Sequence, residues 1–304
     1  MPQGRADRAV HQARTPPPTA SQPPPMEALD QILFPVVLCT QDEARRASAT
    51  RLIRNLGTHY ARNRLNILVF DNASAITSPL DETTFPHVLV RSSVNVGYWS
   101  ALKWVMDHHR TLFGRTFEFV HPIESDFVLF HIERLRNAQR FLERYDDFAC
   151  VRTQKFRVRF RQFYFKQSPI PRFLKSSVVA DYNGVTREKV AFRKAEHATG
   201  VYCANWHAKV PALHRMAVLG DVLLELSAAP VVTEEEFMKS MFRRAREVGV
   251  LDGGVWSMNL ANPKGKGVTG SYSKSAELLA KDYRNTRMDR MEPDFPEPVV
   301  SFET

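Results

Sequence analysis

Apolar residues recur along this chain with two different periods, and the alternation between them outlines the fold. The run ILFPVVLCT at residues 32–40 is short, continuous and rich in β-branched residues, the pattern of a strand buried on both faces. Residues 42–60 carry helical spacing at Leu52, Ile53 and Leu56, with Gly57 near the end. LNILVFDNAS (65–74) predicts a second buried strand that stops at a polar corner, and HVLVRSS (87–93) a third. Asn95-Val96-Gly97 then opens a helix over 98–110. FEFVHPIESDF (117–127) predicts a fourth strand with an acidic end, and 132–144 is helical again. Strands alternating with helices predict an α/β domain, a mostly parallel mixed sheet flanked by helices. In such sheets ligands bind beyond the carboxyl ends of the strands. The polar groups there are Thr40, Asp71, Asn72, Asn95, Glu124 and Asp126, which should meet on one rim.

The second half is less regular. KFRVRFRQFYF (155–165) begins with period-2 alternation, with Lys155, Arg157, Arg159 and Arg161 on one face and Phe156, Val158 and Phe160 on the other. A polar stretch fills 167–194, and 199–216 is apolar and aromatic. TEEEFMKSMFRRAREVG predicts a helix from Thr233 to Gly249, with three acids in its first turn and arginines near its end. A Gly/Lys loop (262–271), a short helix and a Pro-rich acidic tail follow.

Composition narrows the class. The 304 residues allow one large domain or two modest ones, and 43% hydrophobic with 25% charged residues exclude a wholly disordered or fibrous chain. Seven of the 19 prolines lie in residues 1–25, so 1–29 reads as a disordered tail. The expected organisation is this tail, a ligand-binding half at 30–145, a second half at 146–290 and a terminal tail at 291–304, one folded domain in all. No stretch approaches 18 consecutive apolar residues, and the opening residues lack an apolar core, so neither a transmembrane helix nor a secretory signal is expected. Cys39, Cys150 and Cys203 are too far apart for a disulfide framework or a zinc site, which suits a reducing, cytoplasm-like compartment. A net charge of +9 favours a polyanionic partner.

Glu124-Ser125-Asp126 carries the sharpest chemistry. Two carboxylates two residues apart at a strand end can hold Mg²⁺ or Mn²⁺ beside phosphate oxygens, and the plain alternative is a solvated turn. Asp71 can accept hydrogen bonds from a ribose or a base, or close an Asx turn. The N–H groups at Asn95 and Gly97 can face an anion, or form an ordinary cap.

Taken in order, VVLCTQDE, ILVFDNAS, NVGYWSALKWV and FVHPIESDFVL resemble the nucleotide-binding half of GT-A-fold glycosyltransferases of the family 2 type. The resemblance covers about residues 33–145 and continues faintly through 199–216 and 233–249. It implies a nucleotide-diphosphate sugar donor, with Thr40 and Asp71 near the nucleoside and Asp126, with Glu124, on a divalent metal. Glu124 stands where the family usually has Asp. The resemblance also implies a general base at the start of a late helix, which points to Glu235 and then Glu234; the three acids there equally suit the helix dipole. A carboxylate base implies single displacement with inversion. Lys264 and Lys266 sit in a loop able to close over the diphosphate, or in a plain surface loop.

For the acceptor, residues 150–175 hold eight cations, six aromatics and no acid. Cations along a strand suit phosphates and aromatics stack on bases, so the expected acceptor is a hydroxymethylated pyrimidine base in DNA. The alternatives are a surface glycan or lipid-linked sugar, or a non-catalytic nucleic-acid-binding protein on a degenerate transferase fold. A nucleotidyltransferase ranks last, because 36–43 lacks a Gly-rich loop with Lys or Arg. Trp206 could stack on a sugar or base, although large aromatics are more often core.

Overall fold

The computed structural model describes residues 29–76, 85–125, 127–154, 185–186, 188, 190–207, 212–228 and 232–258. The Pro-rich tail, Asp126, the basic row at 155–161, the Gly/Lys loop and the C-terminal helix and tail lie outside the described residues.

The first half is β1 (Ile32–Leu38), α1 (Glu43–Asn63), β2 (Asn66–Asn72), β3 (Val88–Ser92), α2 (Tyr98–Phe113), β4 (Phe119–Val120), β5 (Ile123–Glu124) and β6 (Phe127–Leu129). A 3-10 turn, Ile132–Arg134, leads into α3 (Leu135–Arg144). The second half adds β7 (Cys150–Arg152), β8 (Phe192–Lys194), β9 (Val201–Ala204), β10 (Ala212–Arg215), α4 (Met216–Ser227), α5 (Glu234–Arg244), β11 (Val248–Leu251) and β12 (Trp256–Met258).

Both halves feed one ten-stranded sheet of order β3-β2-β1-β4-β10-β7-β11-β9-β8, with β5 also on β1. β10 is antiparallel to β4 and β7, and β9 is antiparallel to β8 and β11. The other pairings in this sheet are parallel, so all strands except β9 and β10 point one way, as expected for a mostly parallel mixed sheet. β6 and β12 form a separate two-stranded ribbon.

Side-chain alternation splits the core in two. Phe34, Val36, Ile67 and Val69 join α1 and α3 on one face. Leu33, Val37, Leu68 and Phe70 join α2, α4 and α5 on the other. Leu29, placed with the tail by the sequence reading, is fully buried in the first of these cores.

Two expectations change. The fourth strand is broken into β4 and β5, because the register puts Pro35 of β1 opposite Pro122 and neither has an N–H to give the ladder. The late helix stops at Arg244, and residues 248–251 are strand instead of helix. Gly249 explains the strand: a Cβ there would lie 2.7 Å from Val151 and 3.0 Å from Phe141, so only glycine lets β11 sit this close beneath α3.

Candidate active site

The carboxyl ends of β1, β2, β3 and β5 meet at one rim. Buried Thr40 is its anchor. Its amide donates to Ser74 Oγ at 3.0 Å and its hydroxyl to the Ile76 carbonyl at 3.0 Å. Its own carbonyl accepts from the amides of Ala75 and Ile76. Gln41 reaches across to the Ala73 carbonyl at 2.7 Å. Ala73 adopts a left-handed backbone, φ 54°, which a residue with a Cβ takes up at a cost.

Asp71 accepts the Ser74 amide at 3.2 Å and faces Arg91 at 3.7 Å. The Asx-turn reading of this residue is therefore present in the geometry, and a ligand would share a carboxylate already engaged locally. Asn72, fully buried, ties β2 to the start of α2. Its Oδ1 accepts the Val96 amide at 2.8 Å, and its Nδ2 donates to Asn95 Oδ1 at 2.9 Å. Asn95 Oδ1 also accepts the Gly97 amide at 3.0 Å, while its Nδ2 points to Cys39 Sγ at 3.5 Å. Gly97 then caps α2 with φ 83°, a conformation that favours glycine, and with no side-chain cap. The first turn of α2 therefore opens at the rim.

Glu124 ends β5 half-buried, in register with Val37 of β1. The Ser48 hydroxyl holds the Ser125 carbonyl at 2.9 Å, which fixes the acidic corner against α1. Asp126 lies outside the described residues, and among the described residues no group of three or more His, Cys, Asp or Glu side chains is placed to hold a metal.

The late acids come to the same side. Thr233 caps α5 by accepting the Glu236 amide at 3.2 Å. Phe237, one turn in, stacks on Trp99 with ring centres 4.6 Å apart. Trp99 belongs to the first turn of α2, so the contact sets the first turn of α5 beside it. Glu234 and Glu235 are exposed, and Glu235 pairs with Lys239 at 3.0 Å.

Trp206 is elsewhere. It is 0% exposed, with the Arg152 guanidinium 3.7 Å above its ring, which is the core position of the two alternatives and leaves no open ring face there for a sugar or base. Lys155, Arg157, Arg159, Arg161, Lys264 and Lys266 lie outside the described residues. The sequence reading missed Gln41, Ser74 and the Trp99–Phe237 stack. Ser74 stood within the quoted corner, whereas a stack between residues so distant leaves no local trace.

No protein-family model and no curated protein matches this sequence. Among solved structures, S. aureus TarS 1-349 is 15% identical at a TM-score of 0.42, covering 73% of this chain and 59% of that one. The chain thus spans 59% of the length of that structure. Mannose-1-phosphate geranyltransferase from Thermus thermophilus is 10% identical at 0.41, covering 76% and 77%. Glucosyl-3-phosphoglycerate synthase from Mycobacterium tuberculosis, holding Mn²⁺, UDP and glucosyl-3-phosphoglycerate, is 12% identical at 0.42, covering 84% and 79%. None of these three TM-scores reaches 0.5, and the α/β architecture rests on the strand order and directions themselves.

Proposed function

We propose that this chain is a glycosyltransferase of GT-A type that moves a sugar from a nucleotide-diphosphate sugar to an acceptor hydroxyl, with inversion. The meeting of Thr40, Asp71, Asn95 and Glu124 at one rim carries the reading, since the sequence resemblance assigns these strand ends, in this order, to the donor. Residues 30–145 would form the donor half and 146–290 the acceptor half, with Lys264 and Lys266 closing over the diphosphate. Glu124, with Asp126 two residues on, offers the hard oxygen donors that Mg²⁺ or Mn²⁺ prefers, and the donor diphosphate would supply others. A divalent ion held there would offset charge on the departing nucleotide diphosphate. Three free cysteines suit a reducing intracellular setting such as the cytoplasm.

In this reading Glu235, or Glu234 beside it, takes the proton from the acceptor hydroxyl. The hydroxyl oxygen forms its bond to the anomeric carbon as the bond to the diphosphate oxygen breaks on the opposite face. The bonding electrons leave with the diphosphate. The acceptor we favour is a hydroxymethylated pyrimidine base in DNA, supported by the row Lys155, Arg157, Arg159 and Arg161 and the interleaved aromatics.

The test is nucleotide release from a panel of nucleotide-sugars with Mn²⁺, with and without DNA containing hydroxymethylated pyrimidines. Release stimulated by that DNA, with mass added to the base, is the expected result. Release indifferent to DNA keeps the transferase and moves the acceptor to a glycan or lipid-linked sugar. No release from any donor overturns the transferase reading in favour of a non-catalytic binding protein.

A further inference from the structure

A second polar site lies between two adjacent strands. β7 and β10 run antiparallel, with Arg152 opposite Ala212 and Cys150 opposite His214. These four side chains share the face covered by α5, where Phe237, Met238 and Met241 close over them. Two large polar side chains lie on one diagonal and two small ones on the other, and a void of about 20 Å³ remains between them. That space takes about one water-sized oxygen, and a sugar or base ring is far too large for it.

The chemistry of the walls is one-sided. Among the described residues, the lining carries Arg152, His207 and His214 and no carboxylate. Burial lowers the Arg152 pKa only to about 9, so the group is cationic at neutral pH. Its guanidinium is held on the Trp206 ring, donating to the Trp206 carbonyl at 3.3 Å and to Gln154 Oε1 at 3.4 Å. His214 is 4% exposed, and its Nδ1 has no hydrogen-bond partner. A neutral imidazole is free to carry its proton on that nitrogen, so the His214 ring, which lines the void, has an unused donor. His207 differs: its Nε2 faces the Arg246 carbonyl at 3.3 Å, which fixes the proton there and makes the ring a wall, not a donor.

A cationic guanidinium and an imidazole with an unused ring nitrogen, both lining the void and largely shielded from water, are stabilised when an anionic oxygen enters it. We propose that this void is a subsite for one anionic oxygen of the acceptor, supplied by a phosphate or a carboxylate. The word acceptor rests on the transferase reading; anion binding does not. α5 joins the two sites, since the helix over the void carries Glu234 and Glu235 in its first turn. An acceptor gripped by its anionic oxygen would be held beside that helix, with the rest of the molecule outside the void.

The experiment titrates the full chain with inorganic phosphate, dimethyl phosphate or acetate, each against chloride at equal ionic strength. Histidine ring signals are followed by NMR, with no nucleotide-sugar present. Free phosphate, phosphodiester and carboxylate sources are thereby separated. The expected result is a saturable shift of His214 with at least one of the three, and an affinity at least tenfold weaker in Ala212→Leu, which fills the void. His214→Gln, followed through the His207 ring that lines the same space, should weaken binding similarly. An unmoved His214 with all three anions overturns the subsite, as does equal affinity in either folded variant. If neither variant folds, the His214 shift of the unaltered chain decides the matter. Failure here leaves nucleotide release untouched, and failure of nucleotide release leaves this titration intact.

Discussion

Asn72 does more for the rim than the residues that first drew notice. It is fully buried, and both ends of its amide are used, one on the Val96 backbone and one on Asn95. Replacing it with alanine leaves a buried backbone donor without its acceptor, which costs about 1–3 kcal/mol. Asn72→Ala should therefore lower the unfolding free energy measured by urea titration by that amount, and a loss under about 0.5 kcal/mol would show that water replaces the side chain. Glu235 is the opposite case. At 62% exposure its pair with Lys239 is screened by water and adds little to stability. Glu235→Gln should keep the melting temperature and lose at least a hundredfold in turnover, the span a general base supplies. Full turnover in this variant would move the role to Glu234. The family resemblance made Glu235 a candidate, through its place in the first turn of a late helix. The sequence made Asn72 a rim residue, but not the joint between β2 and α2, because that depends on a contact 24 residues away.

At the level of elements, β1, α1, β2, β3 and α2 fall close to where the periodicity put them. Each is long enough for several repeats of its period, and each ends on a recognisable signal, such as Asp42 before α1 or Gly97 before α2. The fourth strand and the end of the late helix were misread for one reason: neighbours in space decided them. Pro35 breaks the ladder of a strand it does not belong to, and the space beneath Phe141 and Val151 turns Gly249 into strand. The Trp99–Phe237 stack belongs to the same class, and it joins the helix that opens at the rim to the helix that carries the candidate base. Phe237→Ala should cost about 3–5 kcal/mol, as other buried Phe truncations do, and should also lower turnover. Phe237→Leu retains most of the volume without the stacking face. Recovery of stability but not of turnover in this variant would assign the stack a positioning role; recovery of both would make it packing alone.

For the whole molecule, the sequence exposed the sheet and the rim but not the buried nitrogen-bearing groups, since an isolated histidine carries no pattern. His121 and His214 come together only through the register of Val120 with His214. Burial pushes His121 down to about 4, His207 to about 4 and His214 to about 3, the last also through the nearness of His121. His121 faces the Thr153 hydroxyl at 2.8 Å, His207 the Arg246 carbonyl, and His214 the Phe237 ring. All three are neutral in the folded chain, and each takes up a proton near pH 6.5 once unfolded. Below pH 6.5 the unfolded state therefore binds more protons than the native one, and stability falls as pH falls, the loss growing until the folded pKa values near 4 are reached. Glu225, lowered to about 2 first by its bond to Arg244, loses its contribution only below its ordinary value of 4.5, so the two windows separate. The urea midpoint should be level above pH 6.5 and decline between pH 6.5 and 5, with a shallower decline in His214→Gln. A midpoint that stays level down to pH 5 would mean that these rings already carry protons in the native fold.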